Sequence, residues 1–174
     1  MTELTLVPPS AQHADQIEAY KQEFLQSGDV MNGTAGLDAA ETVAEWIASV
    51  PRNLREETVR PGWAPSTTLL GVRCADDRLV GIIDIRHRLN DELLQYHGHI
   101  GCSVRPCERR KGYAAEMLRQ GLLLCREWGL DRVLVTCDRR NIASAKTILK
   151  NGGVLENEVP YQDSLWQRYW VELR

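Results

Sequence analysis

The chain reads as a mixed α/β protein. We expect a mostly antiparallel sheet of six to seven strands, helices on both faces and a parallel strand pair at the centre. Three observations predict this. A short apolar segment, Ile100 to Val104, runs into a basic turn, and the turn opens onto an amphipathic helix. Arg132 to Cys137, a β-forming run, follows that helix. A strand, helix, strand unit implies a parallel pair with a right-handed crossover. Elsewhere, short apolar runs are joined by tight turns, as in antiparallel hairpins.

In chain order, Leu4 to Val7 reads as a first strand stopped by Pro8-Pro9, with Ser10 as an N-cap. The next helix carries Ala14, Ile17, Tyr20 and Phe24 on one face and ends near Gly28. Asp29 to Gly36 is a loop. Asp38 with Glu41 fits a capping arrangement for a second helix that buries Val43, Trp46, Ile47 and Val50, and Pro51 bends or ends it. After a loop holding Trp63, Thr67 to Cys74 and Leu79 to Arg88 form a hairpin. Gln95 to Val104 reads as one strand leading to the basic turn. In the helix that follows, Ala114, Met117, Leu118, Gly121, Leu122, Cys125 and Trp128 make the apolar stripe. Asn141 caps a further helix, Ile142 to Lys150, with Ile142, Ala145, Ile148 and Leu149 on its apolar face, and Gly152-Gly153 stops it. Val154 to Pro160 and Ser164 to Leu173 are the last strands. Trp166 and Trp170 share a strand face and suit packing or a subunit contact.

The 174 residues read as one domain, 1–174, with a core of its own. A net charge of −3 argues against a general nucleic-acid or anionic-membrane binder. No apolar run approaches the ~18 residues of a membrane span. Met1 to Pro9 lacks a charged region followed by an apolar core, so no signal peptide is expected. Five cysteines, an odd number without Cys-x-x-Cys pairing, read as reduced thiols in the cytoplasm, and no metal site is expected.

The basic turn contains Arg109, Arg110, Lys111, Gly112, Tyr113 and Ala114. Strand, turn, helix puts free backbone N–H groups at a helix N-terminus, where they and the helix dipole bind phosphate. Gly112 permits close approach of a ligand, and Ala114 is small. This Arg109-x-x-Gly112-x-Ala114 pattern after a strand resembles the pyrophosphate loop of the GNAT superfamily of acyl-CoA-dependent N-acetyltransferases. The resemblance covers most of the chain and is clearest from Leu79 to Gly153. It extends to an uncharacterised bacterial subgroup with a similar Asn-Ile-Ala-Ser-Ala segment, here Asn141 to Ala145.

The resemblance implies acetyl-CoA as co-substrate and direct attack of a primary amine, small-molecule or peptide, in a ternary complex. It assigns the pyrophosphate to Arg109–Ala114 and thioester polarisation to a backbone N–H among Cys102, Ser103 and Val104, foremost Val104. It assigns the pantetheine arm to Asn141 and, less directly, Ser144. Homodimers are common in such folds. The tyrosine that many members use to protonate the leaving thiolate falls at Ile148 here. A thiol of pKa about 8.5 can leave without strong acid help.

The general base stays open among His99, Asp84, His97 and Glu92. Asp84 is a carboxylate in mid-strand. His97 and His99, two apart on one strand, should face the same side. All of these also have structural readings: strand histidines, an Asp84 ion pair with Arg86 or Arg88, and Asn141 as a plain N-cap. No cysteine is clearly placed as a covalent nucleophile, and Cys102 is the only one worth a test. Two rival functions are a non-catalytic acyl-CoA sensor or interaction module, and an ATP-binding protein. The second lacks the Gly-x-x-x-x-Gly-Lys-[Ser/Thr] loop.

Overall fold

The computed structural model describes residues 3–174. Met1 and Thr2, the first residues of the stretch read for a signal peptide, lie outside the described residues. A seven-stranded sheet runs in the order β1-β2-β3-β4-β5-β7-β6. Its strands are β1 (Leu4–Val7), β2 (Ser66–Arg73), β3 (Arg78–Arg86), β4 (Ile100–Val104), β5 (Arg132–Asp138), β6 (Val154–Tyr161) and β7 (Ser164–Glu172). All neighbours are antiparallel except β4 and β5 at the centre. The mixed sheet with its central parallel pair is the one the sequence predicts.

Helices α1 (Ala14–Ser27) and α2 (Val43–Ser49) cover one face, and α3 (Tyr113–Glu127) and α4 (Ile142–Lys150) the other. Ile17, Tyr20 and Phe24 of α1 and Trp46 of α2 bury against Leu70, Leu79 and Ile82. On the opposite face Met117, Leu118, Leu122 and Cys125 of α3 bury against Ile83, Ile85, Ile100, Val133 and Val135. Successive strand residues point to opposite faces, so β3 supplies both clusters. No helix among the described residues is long and apolar enough to cross a membrane.

Several local expectations need correction. Gln95 to Val104 is not one strand. Asn90 Oδ1 accepts from Leu93 N at 2.9 Å and starts a helical segment instead. A π-helical turn, Leu93–His97, follows, closed by Gly98 N donating to Leu93 O at 2.6 Å. Gly98 has φ +67, and a Cβ there would come within 2.4 Å of Leu134 O. The backbone therefore breaks strand geometry at Gly98, where it runs hard against β5.

The second helix is capped by Thr42, whose Oγ1 accepts from Glu45 N at 3.1 Å. Asp38 sits earlier, in a 3₁₀ turn over Leu37–Ala39. Ser10 is an N-cap as expected, but of a 3₁₀ turn, Ala11–His13, that leads into α1, and it bonds to the His13 ring. Trp128 leaves the apolar stripe at the C-cap of α3 and stays 41% exposed, edge-on to the His87 ring. Ile142 and Leu149 of the short α4 face outward, leaving Ile148 buried with Ala145 packed beside it.

Candidate active site

β4 and β5 share one ladder pair, Ile100 opposite Val135. Past it, β4 pairs only with β3, and β5 only with β7. Arg105 N donates to Val80 O and Arg86 N to His99 O, which sets the alternation along β4. Gly101 and Ser103 turn their backbone groups to β3, so the N–H groups of Cys102 and Val104 face the opening. The parallel pair thus parts into a wedge lined on one side by peptide N–H groups.

Both crossover helices begin at the same end of that wedge, because α3 follows β4 and α4 follows β5 in a parallel pair. Ligands of α/β sheets sit outside the carboxyl ends of such strands. Gly112, at φ +86, is the N-cap of α3, and no side chain caps the helix there. The first intrahelical bond in this turn is Glu116 N to Gly112 O. The N–H groups of Tyr113, Ala114 and Ala115 are left for an external acceptor. Arg110, also left-handed at φ +63, bends the loop just before them. On α4, Asn141 Oδ1 accepts from Ser144 N at 3.1 Å; Asn141 is exposed and Ser144 half-buried.

The loop is braced from below. Buried Glu108 pairs with Arg73, Arg78 and Lys111 at 3.0, 2.7 and 2.7 Å. The Lys111 ammonium, then Arg73, holds its carboxyl below the usual range. Arg73 also donates to Tyr113 Oη, which keeps that ring buried and leaves its backbone at the helix start. Glu23 of α1 accepts from Arg105 Nε and Cys107 N. Arg109 donates from Nε to Val104 O at 3.3 Å, in the mouth of the wedge, and from Nη1 to Asp29 Oδ2 at 2.6 Å. Of the three basic residues, Arg110 alone makes no ion pair among the described residues.

The other candidates separate. His99 is buried, and its Nδ1 accepts from Leu134 N at 3.0 Å. Burial, then the Arg86 charge, lowers its pKa to about 4. Its Nδ1 is therefore committed to β5. Because Gly98 breaks the strand, His97 does not share its face. His97 lies half-buried in the π-helical turn, 3.5 Å from both Glu92 Oε1 and Tyr161 Oη, edge-on to Tyr161 and Trp166. Burial, then Arg86, lowers its pKa as well.

Asp84 is buried and accepts from Thr68 Oγ1 at 2.8 Å, with Arg86 Nε at 3.0 Å on its other oxygen. Arg88 instead pairs with Glu56. Ser103 Oγ is bonded to Tyr20 Oη, on the α1 side of the sheet. Burial pushes the Cys102 thiol up to about 11, so it stays protonated near neutral pH. Ile148 lies in the core under Gly153, with no hydroxyl to offer.

Sequence reasoning named Arg86 only as an ion-pair partner of Asp84 and did not single out Tyr161. Arg86 had a usable signal, since it alternates with Asp84 along β3. Tyr161 had none, because the β6–β7 turn meets the 93–97 turn only in space.

The GNAT acetyltransferase domain model matches residues 3–154. No curated protein matches the chain. Among solved structures, a GNAT-family acetyltransferase from Streptococcus pneumoniae is 16% identical, with a TM-score of 0.69, covering 99% of this chain and 100% of that one. A chain described as a ribosomal-protein-serine acetyltransferase from Vibrio cholerae is 16% identical, with a TM-score of 0.70 and coverage of 99% and 95%. The microcin C7 self-immunity acetyltransferase MccE, solved with acetyl-CoA and AMP, is 16% identical, with a TM-score of 0.64 and coverage of 99% and 93%.

Proposed function

The chain belongs to the GNAT acetyltransferases, and from that premise we propose that it moves the acetyl group of acetyl-CoA to a primary amine by direct attack in a ternary complex. The observation that carries this reading is the wedge between β4 and β5, closed at its carboxyl end by an uncapped helix N-terminus behind Gly112. The free N–H groups of Tyr113 to Ala115 and the unpaired Arg110 suit a pyrophosphate. Lys111 and Arg109 add charge from their ion pairs with Glu108 and Asp29. Asn141 and Ser144 flank the pantetheine arm at the start of α4. Acetyl-CoA supplies an activated acyl carbon on a thiol leaving group.

The N–H groups of Val104 and Cys102 polarise the thioester carbonyl as the amine nitrogen bonds to its carbon. The carbon–sulfur bond breaks and the thiolate leaves with the electron pair. His97, neutral near pH 7 and partnered by Glu92, takes the amine proton in this reading. Asp84 is held by Arg86 and His99 Nδ1 by Leu134 N, and Glu92 reaches the site only through the His97 ring. The thiolate leaves without the family tyrosine, protonated by Tyr161 or water. The protonated Cys102 thiol argues against a covalent acyl-cysteine route. Five unpaired cysteines support a cytoplasmic setting.

The test is the melting temperature with and without acetyl-CoA, with ATP as control. Ligand at 100 times its dissociation constant adds ~2.7 kcal/mol, a rise of roughly 5–10 °C for this size. The rise should occur with acetyl-CoA and not ATP, and should vanish in Gly112→Asp. No shift at millimolar acetyl-CoA would overturn the reading. A shift without acetylation of any amine would favour the sensor instead.

A further inference from the structure

Arg86 stands one ladder pair from Ile100, where β4 leaves β5. Asp84 engages two neighbours within the sheet, Thr68 through Oδ1 and Arg86 Nε through Oδ2. A buried carboxylate used in this way orients an arginine. The guanidinium lies over Gly101, where an added Cβ would sit 3.3 Å from Arg86 Nη1. A larger residue at 101 would crowd that nitrogen.

Nη1 and Nη2 have no hydrogen-bond partner among the described residues, yet neither is sealed from solvent. The side chain as a whole is 20% exposed. An arginine with Nε fixed and both terminal nitrogens open presents a planar fork for an anion with two oxygens. His97 and His99 both have pKa values lowered by burial and by the Arg86 charge, and Arg168 is engaged with Glu156 and Leu94 O, so Arg86 is the cation that this part of the described structure leaves open to an anion.

Building on the transferase reading, we propose that Arg86 binds a carboxylate of the acceptor. The substrate class is then an amino acid or related amine whose carboxylate lies close to the reacting nitrogen, rather than a polyamine or plain alkylamine. With the carboxylate on the Nη edge, an amine one carbon away lies beside Gly101 and Cys102, at the wedge. Asp84 is the positioning residue that holds the fork.

The experiment compares matched acceptors: amino acids, their methyl esters and the corresponding decarboxylated amines, followed by free CoA release. We expect kcat/KM for the acids to exceed that for the esters by about tenfold or more. Arg86→Gln should bring the acid-to-ester ratio near one. Arg86→Lys, which keeps the charge without the fork, should give an intermediate ratio. The acetyl-CoA-induced rise in melting temperature, measured on each variant, reports that fold and cofactor site survive. Turnover with no preference for acids, or an unchanged ratio in Arg86→Gln, overturns the Arg86 assignment and leaves the transferase reading standing. Turnover of no acceptor by a protein that binds acetyl-CoA overturns both.

Discussion

The imidazole of His99 stands in for a strand hydrogen bond. Its Nδ1 accepts from the Leu134 N–H while the His99 backbone N–H donates to Leu134 O at 2.8 Å, so one residue stitches the start of β4 to β5 just before they part. Protonating the ring would break the first of these contacts in a buried place. Its folded pKa of about 4 lies below the ordinary 6.5. Between those values the unfolded chain binds a proton that the folded chain does not. Stability therefore rises with pH across the window and is lost as pH falls through it, by up to roughly 3 kcal/mol. Urea unfolding at pH 7 and pH 4.5 should show this loss. His99→Asn, which cannot titrate, should flatten the profile by about 2 kcal/mol. Parallel profiles would assign the acid sensitivity elsewhere. The depressed carboxyls of Glu108 and Glu23 act mainly below this range and are common to both proteins. At this scale the Arg109–Ala114 loop was legible from residue types alone. The separate fates of His97 and His99 were not, because alternation along a strand says nothing once one intervening residue turns left-handed.

The loop after α1 shows how an element is set by its neighbour. Gly33, at φ +66, rests on β4 so closely that an added Cβ would meet Gly101 C and O at 2.1 Å and Cys102 N at 2.5 Å. Backbone cannot yield as a side-chain tip can. Gly28, at the end of α1, has φ +72 with nothing within 4 Å. Gly28→Ala should cost about 1–2 kcal/mol, the ordinary penalty of a left-handed alanine. Gly33→Ala should cost more, about 3 kcal/mol or above, or displace the loop from β4. Chemical denaturation of the two variants checks this, and equal costs would mean that the loop lifts freely. The sequence marks both glycines as turn residues and cannot distinguish them. It likewise points to Asp38 with Glu41 as the cap of α2, whereas Asp38 lies in a separate 3₁₀ turn and Thr42 caps the helix.

For the whole molecule the wedge predicts a pattern of hydrogen exchange. The amides of Cys102 and Val104 face the opening, whereas those of Gly101 and Ser103 pair with β3. Without ligand, Cys102 and Val104 should exchange faster than their neighbours. Saturating acetyl-CoA should slow them by roughly tenfold or more while β6, at the exposed edge, keeps its rate. Unchanged rates at these two amides would place the thioester elsewhere.

By itself the sequence determined the strand, loop and helix that present Gly112, the crossover that makes β4 and β5 parallel, and most core faces. These depend on local periodicity and on the handedness of a short connection, which nearby residues encode. The tertiary structure decided that the parallel pair opens after Ile100 and that Asp84 serves Arg86. It also decided that His97 meets Tyr161 and Glu92. Those arrangements join residues far apart in the chain, and their geometry follows from how closely Gly33, Gly98 and Gly101 let separate backbones approach, a distance no local pattern records.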